Sequence, residues 1–183
     1  MIAMRVRRRQ AMTFTLTAFM LATIERAVAQ SIDAPNFTAL SPHLATSGQP
    51  TAKALATLGT HGFQAVVYLA PSTVPNAVKE EGELLARQGI EFVHIPIPFE
   101  APDESHVKAL SAVLNRLRER KVLVHCEINM RASTLVFLYR VIELKEAPPD
   151  AYEAVARIWS PRGPWRRLMV EQLARHHIAF EPY

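Results

Sequence analysis

A single α/β domain, with a central, mostly parallel sheet flanked by helices, is the fold class this sequence predicts. Three observations carry it. Apolar β-forming runs such as Val66-Val67-Tyr68 and Val122-Leu123-Val124 alternate with amphipathic stretches of ten or more residues, the pattern of βαβ units. The 183 residues are 49% hydrophobic and 21% charged, which suits one globular core and leaves little room for two. A single Cys excludes an intramolecular disulfide framework, so packing must hold the fold.

The elements follow from local chemistry. Phe37 to Leu40 and Leu44 to Ser47 read as two short strands. Pro50 and Thr51 open a helix with Leu55 and Leu58 on one face, stopped by Gly62. Phe63 to Leu69 is a buried strand, and Pro71 to Pro75 a loop. Asn76 caps a second helix that turns Leu84 and Leu85 inward and ends at Gly89. Phe92 to Ile97 is a strand broken by Pro96 and Pro98. Asp103 or Ser105 caps a third helix, in which Val107, Leu110, Leu114 and Leu117 form one apolar stripe. A central strand starts at Val122 and ends at His125, and Arg131 to Leu144 is a helix hydrophobic nearly all round, hence buried. Pro148-Pro149 breaks it, and two further helices lie near Ala151 to Trp159 and Pro164 to His176.

Residues 1–29 stand apart. Met1 to Arg9 is basic, Ala11 to Ile24 carries no charge, and Ala27-Val28-Ala29 has the small-x-small exit that a signal peptidase accepts. The apolar stretch is short for a membrane span. The expectation is a cleaved leader over 1–29, a domain over 30–183, a periplasmic or secreted location and no stable membrane association after cleavage. The alternatives are an uncleaved anchor and a true start at Met12. Five of the 21 basic and one of the 17 acidic side chains lie in this leader, so the domain holds sixteen of each. A nucleic-acid-binding domain carries its basic surplus on the folded part, which sets nucleic acid aside as a partner.

The chemistry concentrates in Val122-Leu-Val-His-Cys-Glu-Ile-Asn-Met-Arg-Ala-Ser-Thr134. A strand ends at His125, the sole thiol follows at Cys126, and Arg131 opens a helix. A loop entering a helix N-terminus turns backbone N–H groups inward and adds the positive end of the helix dipole, a nest for phosphate or sulfate. The same field favours the thiolate of Cys126. Arg131 can grip two oxygens of the anion, and a cation in a first helical turn is otherwise disfavoured. His125 stands beside the thiol and is expected to help hold it.

This segment resembles the signature of the cysteine-dependent tyrosine and dual-specificity phosphatases: His-Cys, five residues, Arg, then Ser or Thr. Ser47-Gly48-Gln49-Pro50-Thr51 and Gly62-Phe63-Gln64-Ala65-Val66-Val67-Tyr68-Leu69 resemble the opening of the bacterial phosphatase-like families, and Gly89 to Ile97 the strand before their general-acid loop. The resemblance implies a dual-specificity-phosphatase-like fold and a nucleophilic Cys126. It implies phosphate binding by Arg131, by the backbone of Glu127, Ile128, Asn129 and Met130, and by His125, with Ser133 assisting departure of the thiolate. The general acid it implies is Asp103, or else Glu100. It requires no metal and no cofactor, and the partner is a phosphorylated protein or a small phosphate ester.

Two departures stand out. Only four residues separate Cys126 from Arg131, and the loop has no Gly. Asn129 can supply the positive φ that a Gly would. Ser133 keeps its usual distance from Cys126, so either the loop is one residue short or Arg131 sits one helical step early, about 100° and 1.5 Å away. The spacing also matches the active loop of rhodanese-like sulfurtransferases. An anion-binding module without turnover is the remaining alternative. Outside this segment, His176-His177 read as surface residues and Trp159 and Trp165 as core anchors.

Overall fold

The structure is a computed structural model that describes residues 31–183, so the leader expected over 1–29 lies outside the described residues. The strands are β1 (Thr38–Ser41), β2 (Leu44–Ser47), β3 (Ala65–Tyr68), β4 (Glu91–His94) and β5 (Val122–His125). They form one sheet in the order β1-β2-β5-β3-β4. β1 pairs antiparallel to β2, and the β2–β5, β5–β3 and β3–β4 pairs are parallel. β3 and β5 are central and buried on both faces, which explains their unbroken apolar runs.

The helices are α1 (Ala52–Leu55), α2 (Glu81–Ala86), α3 (Glu104–Arg116), α4 (Met130–Ile142), α5 (Pro148–Ala156) and α6 (Gly163–Arg175). One face of the sheet, through Val66 and Leu123, packs with Leu55, Leu58, Phe63, Leu85 and Ile90. The other, through Val67 and Val124, packs against α3, α4, α5 and α6. α4 lies in the middle of that layer and is buried almost throughout. Trp165 is completely buried and its Nε1 donates to the Phe99 carbonyl at 2.8 Å, which ties α6 to the loop after β4.

Several boundaries differ from the sequence reading. Asn76 caps no helix: α2 starts five residues later, and Asn76 Nδ2 donates instead to the Glu127 carbonyl at 3.1 Å. The helix expected after Pro50 is one turn, capped by Thr51, followed by a 3-10 turn over Leu58–His61 that ends on Gly62 in the left-handed region. Pro148 and Pro149 open α5 rather than merely ending α4, because the first helical turn needs no N–H donors. His176 and His177 are exposed, as expected.

Candidate active site

Parallel pairing brings the C-terminal ends of four strands level. Ser47 is the partner of His125, His125 of Tyr68, and Tyr68 of His94. Ligand sites of open parallel sheets lie at this end. The loop from Cys126 to Asn129 leaves the sheet here and enters α4.

Hydrogen bonds hold this loop by its carbonyls. The Glu127 carbonyl accepts from Gln49 N at 3.1 Å and Asn76 Nδ2 at 3.1 Å, and the Ile128 carbonyl from Asn36 Nδ2 at 3.0 Å. With those oxygens engaged by neighbouring segments, the first-turn N–H groups of α4, which have no intrahelical acceptors, remain available to an anion. Gly48 lets the segment after β2 lie against the loop. A Cβ there would fall 2.9 Å from the Glu127 carbonyl oxygen and 3.0 Å from Ile128 Cα, closer than a side chain tolerates.

Asn129 has φ of 74°, the left-handed turn the sequence expects of it. Its Nδ2 donates to the Asn36 carbonyl at 2.7 Å and to Thr46 Oγ1 at 3.1 Å. The short spacing is therefore a tight turn closed by a buried Asn that is fixed from two sides.

Arg131 is the second residue of α4 and is buried. Its Nε donates to the Ile97 carbonyl at 3.0 Å, its guanidinium lies 5.0 Å over the Phe99 ring, and Nη1 stands 3.7 Å from Glu127 Oε2. Trp159 and Trp165 pack on the same Phe99 at 5.9 and 5.6 Å. The guanidinium is thus aimed by a backbone acceptor and an aromatic shelf. Glu127, half-buried, sets a carboxylate beside it.

Cys126 is buried at the end of β5, its N–H donating to the Ser47 carbonyl at 3.2 Å. Ile128 is the exposed residue of the loop, at 41%. Met130 opens α4 and its carbonyl accepts from Ser133 Oγ at 3.2 Å. That bond engages the hydroxyl expected to serve the thiolate. The His125 side chain makes its contacts with other residues than the thiol: its Nε2 is 2.7 Å from Glu81 Oε1, and the ring stacks on Tyr68 at 4.7 Å.

Asp103 has a structural role that competes with the acid role expected of it. It caps α3, accepting from the Ser105 and His106 N–H groups in a reciprocal capping box, and its side chain is exposed. The Ser105 hydroxyl at 2.5 Å, together with the His106 N–H, holds its carboxyl below the usual range, the wrong direction for a proton donor. Glu100 lies on the Pro98–Ala101 turn, next to the Phe99 shelf, exposed and without a polar partner among the described residues.

Sequence reasoning missed Gln49, Tyr68, Glu81, Ile97 and Phe99. Gln49 stands inside the Ser-Gly-Gln-Pro segment and could have been found there. Glu81 follows Lys79 and Glu80, a charged run that reads as a solvated helix face, yet it is 2% exposed. Burial, followed by the charge of Glu81, pushes the Tyr68 hydroxyl up to about 12.

A family model described as "DSP-PTPase phosphatase fused to NAD+ Kinase" matches residues 19–158. Among solved structures, a candidate phosphatase of the DUF442 family from Shewanella putrefaciens CN-32 superposes with a TM-score of 0.72 at 26% identity, over 78% of this chain and 94% of that one. Tk-PTP in its active form gives 0.61 at 25% identity, over 78% and 96%. TpbA from P. aeruginosa shares the fold, with a TM-score of 0.56 at 24% identity over 71% and 80%. No curated protein matches the chain.

Proposed function

Because this chain belongs to the family of DSP-PTPase phosphatase domains, we propose that it hydrolyses phosphate monoesters through covalent catalysis at Cys126. The observation that carries this reading is a buried thiol at the end of β5 and a buried Arg131 in the first turn of α4, at the two ends of one short loop. The Cys126 thiolate attacks phosphorus as the ester P–O bond breaks. The first-turn N–H groups of α4 and the Arg131 guanidinium carry the charge on the equatorial oxygens. The leaving oxygen takes a proton from an acid. Water then attacks the phosphocysteine, the P–S bond breaks, and phosphate leaves with the thiolate restored.

Of the two carboxyls open to the acid role, we assign it to Glu100. The turn that carries it is held against Arg131 through Ile97 and Phe99, whereas Asp103 is committed to α3. The substrate class is a phosphorylated protein or a small phosphate ester. TpbA has been seen in complex with phosphotyrosine, which supports an aryl phosphate as the first probe. Paired assays with a chromogenic aryl phosphate and with thiosulfate plus cyanide test the reading. Phosphate release without thiocyanate formation is expected. Thiocyanate formation alone would make the chain a sulfurtransferase, and neither product an anion-binding module.

The leader read in the sequence supports export of this chain to the periplasm or out of the cell. A mature chain beginning at Gln30, measured by intact mass, is the expected product of export.

A further inference from the structure

Glu127 puts a carboxylate on the loop assigned to the phosphoryl group. Its Oε2 stands 3.7 Å from Arg131 Nη1, and its side chain keeps 36% of its surface exposed where that of Arg131 keeps 5%. Among the described residues, no other cation lies within ion-pair distance of Glu127, and no other carboxylate within that distance of Arg131.

The main chain holds this carboxylate in place. The Cys126 N–H donates to the Ser47 carbonyl at 3.2 Å, and the Glu127 carbonyl accepts from Gln49 N and Asn76 Nδ2, both at 3.1 Å. Gly48 leaves no slack on that side, since a Cβ there would meet the Glu127 carbonyl oxygen at 2.9 Å. Only rotation of the side chain moves the charge, and it stays within a side chain's length of Arg131.

With an ester in the loop, the charges do not balance. A phosphate monoester brings about −1.5 to −2, and the carboxylate of Glu127 adds to it. Against them stand one guanidinium and about half a charge from the N-terminus of α4. Once the phosphoryl group takes Arg131, Glu127 loses its partner, and about one positive charge is missing. A carboxylate partly removed from water is costly without a cation beside it.

We propose that Glu127 is a specificity-determining residue that selects, among small phosphate monoesters, those carrying an ammonium group on a short arm. The ammonium takes the place beside Glu127 that Arg131 holds in the free protein, and Arg131 is given over to the phosphoryl oxygens. The inference rests on the function proposed above and names the class of ester for it.

The test is calorimetric binding of O-phosphoethanolamine and of propyl phosphate, which match in length and differ in the terminal ammonium. It is run at about pH 8, where both phosphates are dianions, on Cys126→Ser, so that no turnover intervenes. The ammonium ester is expected to bind about fivefold to tenfold more tightly, the size of a partly buried ion pair. Glu127→Gln in the same background is expected to abolish that preference and to tighten binding of propyl phosphate. Equal affinities in Cys126→Ser overturn the proposal. So does a preference that survives Glu127→Gln, the outcome of a purely structural ion pair. Wild-type kcat/KM for the two esters is a second readout that needs no variant. The ammonium ester is expected to be the better substrate, and propyl phosphate hydrolysed equally well overturns the proposal. A binding preference in a chain that releases no phosphate would support this inference while refuting the function proposed above. Binding of neither ester would refute both.

Discussion

Arg131 Nε donates to the main-chain carbonyl of Ile97 at 3.0 Å, joining residues 34 positions apart. The bond takes up one guanidinium N–H and aims the remaining ones, while Phe99 supports the flat face at 5.0 Å. The tether and the ring together fix where the guanidinium lies.

Arg131→Lys keeps the charge and loses both the tether and the two-pronged geometry. Activity toward an aryl phosphate is expected to fall by roughly 10²–10³, about 2–4 kcal/mol of transition-state stabilisation. Moving the group one place along, as Arg131→Ala with Ala132→Arg, is expected to abolish activity, because Ala132 is fully buried and a guanidinium there would enter the core. Steady-state kcat/KM measures both. Full activity in Arg131→Lys would reduce Arg131 to a structural residue.

Asn129 combines a φ of 74° with two side-chain bonds. Asn129→Gly retains the turn and loses the bonds, an expected cost of about 1–3 kcal/mol. Asn129→Ala adds about 1 kcal/mol for the left-handed backbone. Urea unfolding should rank wild type above the Gly variant and the Gly variant above Ala. A reversed order of the two variants would remove the backbone term.

The loop was legible in the sequence because its signals are local. A β-branched run ending in His-Cys, an Asn before the helix and an Arg within the first turn are read from thirteen consecutive residues. β2, β5 and the Asp103 cap are also where local chemistry puts them. What escaped depends on distant partners. The burial of Glu81 is set by Gln49 and His125, 32 and 44 residues away. Asn76 looks like a helix cap until its actual acceptor, the Glu127 carbonyl 51 residues on, is known. Asp103 satisfied two local descriptions, cap and acid, and the structure shows it in the first of them.

Asp103→Ala and Glu100→Gln test that separation. Glu100→Gln is expected to slow hydrolysis of an alkyl phosphate by about 10² and an aryl phosphate with a good leaving group much less. Asp103→Ala is expected to leave both rates nearly unchanged and to lower the melting temperature. Because the fold holds the Asp103 carboxyl below its usual range, its contribution is present above that range and is lost as pH falls through the folded value. The melting curves of wild type and variant should therefore converge in acid. The opposite pattern of rates would return the acid role to Asp103.

Tyr68 gives the alkaline side its slope. Its hydroxyl is held at about 12 against an ordinary 10.0, so the unfolded chain loses that proton first. The contribution is complete below the ordinary value and is lost as pH climbs toward 12. Burial raises Tyr139 and Tyr152 in the same direction. Tyr68→Phe is expected to flatten, without abolishing, the alkaline decline in unfolding free energy. An unchanged slope would contradict the burial of this hydroxyl.

Covalent catalysis at this site carries the phosphoryl group on Cys126 during turnover. Acid quenching during turnover of an aryl phosphate, followed by peptide mass spectrometry, should find phosphate on the peptide containing Cys126. Cys126→Ser should yield neither that adduct nor product while melting like the wild type. Turnover by the wild type with no phosphorylated Cys126, or undiminished turnover by Cys126→Ser, would contradict covalent catalysis at this thiol.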